Sequence, residues 1–84
     1  MYYTYIIASI EGAKHYYVGC TEDLRARLDD HNAGRSPHTA KHRPWQLVWY
    51  CAFHHRTKAE GFERYLKSAS GRAFQKNIFE AATV

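Results

Sequence analysis

Three side chains draw attention because their chemistry conflicts with the helical pattern around them. Glu63 falls inside the arc that Ala59, Phe62 and Leu66 mark as the inward face of a helix. Desolvating an unpaired carboxylate costs roughly several kcal/mol, so Glu63 needs a partner. An arginine would make it a structural ion pair. A hard cation such as Mg²⁺, which completes its shell with water and phosphate oxygens, would make it a metal ligand. Arg27 and His31 fall within about 60° of Leu24, on the apolar side of an earlier helix that also carries Leu28. Arg25 and Asp29 point the other way, at the spacing of a surface pair. Plain accounts are available for both inward groups. An arginine can lay its stem along apolar surface, and a lone helical histidine can be a satisfied core or surface group.

The charge distribution says more than the net charge of +4. No acidic residue lies between Asp30 and Glu60, a stretch that holds Arg35, Lys41, Arg43, Arg56 and Lys58 with five of the six histidines. Such a run is either a solvated basic loop or a phosphate-facing surface. Cations of this kind gain affinity for a polyanion by releasing its condensed counterions.

These groups must be held by a small framework. A chain of 84 residues is expected to form one domain, residues 1–84. It buries only roughly 60–65% of the surface its unfolded form exposes. Aromatic residues, 15% of the chain, therefore supply much of the core volume. Seven of them are tyrosines, a large share for packing alone, since each hydroxyl must be satisfied when buried. No apolar run approaches the roughly 20 residues of a membrane span. The start, Met1-Tyr2-Tyr3-Thr4-Tyr5, lacks a basic leader and reads directly as strand, so it is expected to be part of the fold rather than a signal peptide. Cys20 and Cys51 make neither a disulfide framework nor a zinc site. They are expected as buried thiols in a reducing cytoplasm.

Tyr2 to Ala8 reads as a first strand and His15 to Gly19 as a second, joined through a turn at Glu11-Gly12. A helix is expected from Glu22 to Asn32, with Thr21 as N-cap and glycine at 34 ending it. Arg35 to Pro44 is a basic loop containing both prolines. The near-continuous apolar run Trp45 to Phe53 reads as a third strand buried on both faces. Thr57 to Glu60 matches a capping box that opens a second helix running to Ser68. A short third helix begins after Ser70, with Phe74 and Ile78 at i, i+4 spacing. The expected architecture is α+β: a small three-stranded sheet with flanking helices, in the order β-β-α-β-α-α.

These pieces coincide with a known pattern. Tyr3-Thr4-Tyr5 and Tyr17-Val18-Gly19, about ten residues apart across a hairpin, resemble the two motifs that name the GIY-YIG nuclease superfamily. Arg27 and His31 fall where that family places an arginine and a histidine, and Glu63 matches its metal-binding glutamate. The stretches His31-Asn32-Ala33-Gly34, Thr39 to Pro44 and Ser70 to Ala73 are similar to the small stand-alone bacterial branch. That branch is akin to the N-terminal nuclease domain of the bacterial DNA-repair excinuclease. Tyr3 stands in place of the first motif's glycine, and Cys20 stands where the excinuclease branch has a lysine.

The resemblance implies a divalent-metal-dependent endonuclease that hydrolyses phosphodiester bonds. Glu63 would hold one Mg²⁺ or Mn²⁺ ion. Arg27 would clamp a non-bridging oxygen, for which its planar fork suits it. Tyr5 and Tyr17 would position the attacking water and take its proton, with neighbours lowering a tyrosine pKa that is ordinarily near 10. His31 would order the water or a tyrosine hydroxyl. Tyr2, Tyr16, Tyr50, Trp45 and Trp49 are read as packing. Arg35, His38, Lys41, His42 and Arg43 would grip the nucleic-acid backbone without reading sequence. DNA is expected before RNA, in the cytoplasm, with low intrinsic sequence specificity and a protein partner able to supply more. Two other readings stand beside this one: a nucleic-acid-binding module that cuts slowly or not at all, and an interaction domain in which Glu63 simply pairs with Arg27.

Overall fold

The computed structural model describes residues 1–82. The strands are β1 (Tyr2–Ser9), β2 (Tyr16–Thr21) and β3 (Trp45–Phe53). The helices are α1 (Leu24–Asn32), α2 (Arg56–Lys67) and α3 (Ala69–Ala82), and a single 3₁₀ turn covers Ala40–His42. Element order and class are as the sequence predicts. The sheet is antiparallel with strand order β2-β1-β3.

Being central, β1 is covered on both faces, and alternation divides its side chains between two cores. Tyr5 and Ile7 pack with Trp45 against Leu24, Leu28, Leu47 and Tyr17 on the α1 side. Ile6 packs with Val18 and Leu66 against Trp49, Phe62 and Phe79 on the side of α2 and α3. Ile6, Ile7 and Leu66 are almost wholly buried, and each contributes about 1.5–3 kcal/mol of apolar burial.

The third strand departs from expectation. It is an edge strand in which buried or half-buried residues alternate with exposed ones, so it is not buried on both faces. Opposite Ile6 and Ile7 its register skips Val48, which forms a bulge. One extra residue reverses the facing of everything beyond it. Trp45 and Leu47 therefore point to the α1 core, whereas Trp49 joins the α2 core. Both apolar sets occur in one strand, which is why the run looks continuous in sequence.

Helix boundaries also shift. Asp23, not Thr21, caps α1: its carboxylate accepts from the Ala26 amide at 3.0 Å. Thr21 remains in β2 and its hydroxyl accepts from the Asp23 amide. After Ala33, Gly34 takes φ = +78°, the left-handed conformation that ends the helix. The capping box at Thr57 does not form. Helix α2 starts two residues earlier, at Arg56, with His55 as N-cap and no side-chain cap bond. Ser68 closes α2, and α3 follows at once with 14 residues rather than as a short helix after Ser70. Cys20 and Cys51 are half-buried rather than buried.

Beyond α1 the basic loop is tied to the start of β3. Asn32 accepts from the Trp45 amide at 2.6 Å and donates to the Trp45 carbonyl at 3.1 Å. The Trp45 indole donates to the Thr39 carbonyl at 2.9 Å. These bonds place Thr39 beneath the last turn of α1.

Candidate active site

The sheet brings Tyr5 and Tyr17 to the same side, and α1 lays Arg27 and His31 over them. Tyr5 pairs across the hairpin with Gly19. A Cβ at that glycine would run into the Tyr5 hydroxyl, so the tyrosine lies across a strand position that only glycine leaves open.

His31 is fully buried, with both ring nitrogens satisfied. Nε2 lies 2.8 Å from the Tyr5 hydroxyl and Nδ1 lies 2.7 Å from Thr39 Oγ1. The rings of Tyr5 and Tyr17 meet it edge-on, at 5.9 and 5.3 Å between centroids. Burial, and then the charge of Arg27, hold the histidine pKa below its ordinary value, so the ring is neutral. The two bonds are coupled: in a neutral ring one nitrogen donates and the other accepts.

Tyr5 does not show the lowered pKa that a tyrosine acting as base requires. Burial pushes its hydroxyl up to about 12, and this outweighs the opposing pull of Arg27, whose guanidinium faces it. The neighbours do not make Tyr5 more acidic. Arg27 itself loses some ease of charging to burial, but the facing Tyr5, Tyr17 and Asp30 more than restore it. Its side chain is 34% exposed and reaches toward Asp30 at 3.9 Å.

Glu63 approaches from α2. Its partner is neither Arg27 nor another arginine but Lys67, whose Nζ lies 2.7 Å from Oε2. The plain Glu63–Arg27 bridge is therefore absent. Glu63 is half-buried, at 24% side-chain exposure. Its carboxylate faces the Cys20 thiol, which burial first and Glu63 second push up to about 11. That thiol donates to the Ala59 carbonyl at 3.2 Å. Among the described residues no three His, Cys, Asp or Glu side chains converge as a metal cage. The donor set fits an ion that takes one carboxylate and completes its shell with water and substrate oxygens, as Mg²⁺ does. It does not fit a closed tetrahedral zinc site.

The basic-loop residues are distributed more loosely. Arg35 bonds Asp30 at 2.6 Å, so one carboxylate links the loop to Arg27. His42 stacks on His15 with centroids 3.7 Å apart. The Arg43 guanidinium packs where a side chain at Gly34 would lie. His38 and Lys41 are exposed. Arg25 and Asp29 face solvent, and Asp30 rather than Asp29 takes the arginines. Thr39 and Lys67 were not singled out by sequence. Lys67 carried a signal in its i+4 spacing from Glu63; Thr39 carried none, because its contact depends on loop conformation.

A family model described as the GIY-YIG catalytic domain matches residues 1–77. The chain belongs to the GIY-YIG nuclease superfamily. A relative named UPF0213 protein, from Lacticaseibacillus paracasei, is 34% identical over 67 residues, covering 79% of this chain and 73% of the relative. This GIY-YIG chain thus falls in the small stand-alone branch. No solved structure matches it significantly.

Proposed function

We propose that this GIY-YIG chain is a metal-dependent endonuclease that hydrolyses phosphodiester bonds in DNA with little sequence preference. The observation that carries the reading is the convergence of Tyr5, Tyr17, Arg27 and His31 around one buried hydrogen-bonded centre, with the Tyr5 hydroxyl 2.8 Å from His31 Nε2. Neutral His31 and a protonated Tyr5 hold each other's orientation at the back of the site.

Tyr17 is the outer tyrosine, half-buried where Tyr5 is only 2% exposed, so it is the one that meets the attacking water. Arg27, charged and one-third exposed, clamps a non-bridging phosphoryl oxygen. Glu63 would hold Mg²⁺ or Mn²⁺ through its carboxylate, and when bound the ion would supply charge neutralisation at the phosphoryl and leaving oxygens. Arg35, His38, Lys41, His42 and Arg43 extend the contact along the backbone, a sequence-independent grip.

The test is conversion of supercoiled plasmid to open circle in Mg²⁺ or Mn²⁺, with a chelator control. Branched DNA, single-stranded DNA and RNA are offered alongside. Chelator-sensitive product supports the reading. Salt-sensitive binding without product on any substrate favours the binding module instead.

A further inference from the structure

Lys67 stands on the last turn of α2, four residues after Glu63, and its position answers two demands at once. Its ammonium sits 2.7 Å from Glu63 Oε2 and 5.9 Å from the centroid of the Tyr17 ring. Glu63 therefore already has a cation on one oxygen, while among the described residues no other cation pairs with Oε1. A divalent ion arriving at this carboxylate meets a positive charge within a few ångströms.

We propose that Lys67 is the resident counterion of Glu63, competing with the divalent ion and setting how strongly the carboxylate takes it. This inference rests on reading Glu63 as the metal-holding residue. Three observations support an exchangeable role over a fixed structural pair. The lysine side chain is 51% exposed, so leaving Glu63 costs it little desolvation or packing. The Tyr17 ring face already lies 5.9 Å from the ammonium, whose charge its quadrupole attracts, so a shift away from Glu63 keeps one favourable contact. Beside it, Lys67, Tyr17, Arg72 and Gln75 line a groove of about 310 Å³, into which the four-carbon stem can swing. With the metal absent, Lys67 keeps a half-buried carboxylate from standing uncompensated. With the metal present, its charge is released toward the substrate side of Tyr17.

The competition has a definite sign. Lys67→Met removes the competing charge and raises Mn²⁺ affinity about two- to five-fold, the size expected for a partly exposed charge pair. Lys67→Arg, whose fork can take both carboxylate oxygens, leaves affinity at or below that of the wild type. The experiment is a titration of the full chain with Mn²⁺ alone, free ion being followed by electron paramagnetic resonance. Wild type, Glu63→Gln, Lys67→Met and Lys67→Arg are compared after circular dichroism has shown each to be folded. Loss in Glu63→Gln, gain in Lys67→Met and no gain in Lys67→Arg is the expected result. Loss in Glu63→Gln with Lys67→Met equal to or weaker than wild type overturns the counterion role and leaves the Glu63 reading standing. Binding that ignores Glu63→Gln overturns both.

Discussion

The Tyr5 hydroxyl and His31 Nε2, 26 residues apart in sequence, lie 2.8 Å apart in the core of the candidate site. This bond joins the central strand to the last turn of α1. It depends on a third residue, because the Tyr5 ring crosses the sheet over Gly19, where no side chain could stand. The glycine of the second motif, the tyrosine of the first and the helical histidine thus form one packing unit.

Substituting that glycine tests the unit. Gly19→Ala forces Tyr5 to shift, since a Cβ meets its hydroxyl and ring. The expected cost is about 1–3 kcal/mol of overpacking strain, read by urea denaturation, together with reduced cleavage by the protein that remains folded. Unchanged stability and cleavage would mean the ring has somewhere else to go.

Removing either partner of His31 should expose the cost of an unpaired buried nitrogen. Tyr5→Phe and Thr39→Val each strand one ring nitrogen and are expected to lose about 1–3 kcal/mol. Because the two bonds share one ring, the double variant should lose less than the sum of the singles. Strict additivity in denaturation midpoints would show that the bonds are independent.

Titration gives two windows of opposite sign. Folded His31 has its pKa held below the ordinary 6.5, by burial first and Arg27 second. The unfolded chain therefore takes up the proton first, and stability falls as pH drops below about 6.5. In His31→Gln this acid slope should flatten. For Tyr5, raised from 10.0 to about 12 by burial, the stabilising contribution is full below pH 10 and is lost as pH rises toward 12. Thermal melts across both ranges check the signs; an acid slope unchanged in His31→Gln would place that titration elsewhere.

The basic loop should act through charge alone. Lys41→Ala is expected to weaken DNA binding equally across sequences and to reduce the salt dependence by about one phosphate contact. Arg35→Ala should do more, because Arg35 also holds Asp30, which faces Arg27. Fluorescence anisotropy at several salt concentrations on unrelated duplexes makes the comparison. Strong sequence dependence would contradict a backbone-only grip.

Much of this was legible in the residues. Strand order along the chain followed from β-branched and aromatic runs, and the helices from their apolar spacing. Arg27, His31 and Glu63 showed themselves as polar groups on apolar stripes. What stayed hidden depends on tertiary geometry. The Val48 bulge switches the face of β3 mid-strand, which no periodicity announces. Local rules placed the N-cap at Thr21, but the strand held that residue and Asp23 took the role. The upward shift of Tyr5 is not readable from spacing, because burial depth, which outweighs Arg27, comes from packing. Lys67 as partner of Glu63 follows the i+4 rule; the sequence leaves an arginine or a divalent cation open as that partner, and Arg27 turns to Asp30 instead.

The most direct test of the central claim is to compare wild type and Glu63→Gln in two assays on one preparation: single-turnover DNA cleavage in Mn²⁺, and urea denaturation in chelator. The Glu63–Lys67 pair is exposed enough to be worth only about 0.3–0.5 kcal/mol. Glu63→Gln is expected to leave stability unchanged within about 0.5 kcal/mol and to reduce cleavage by about 100-fold or more. Cleavage at the wild-type rate, or a stability loss of about 3–5 kcal/mol as for a broken buried ion pair, would contradict the metal-holding role of Glu63.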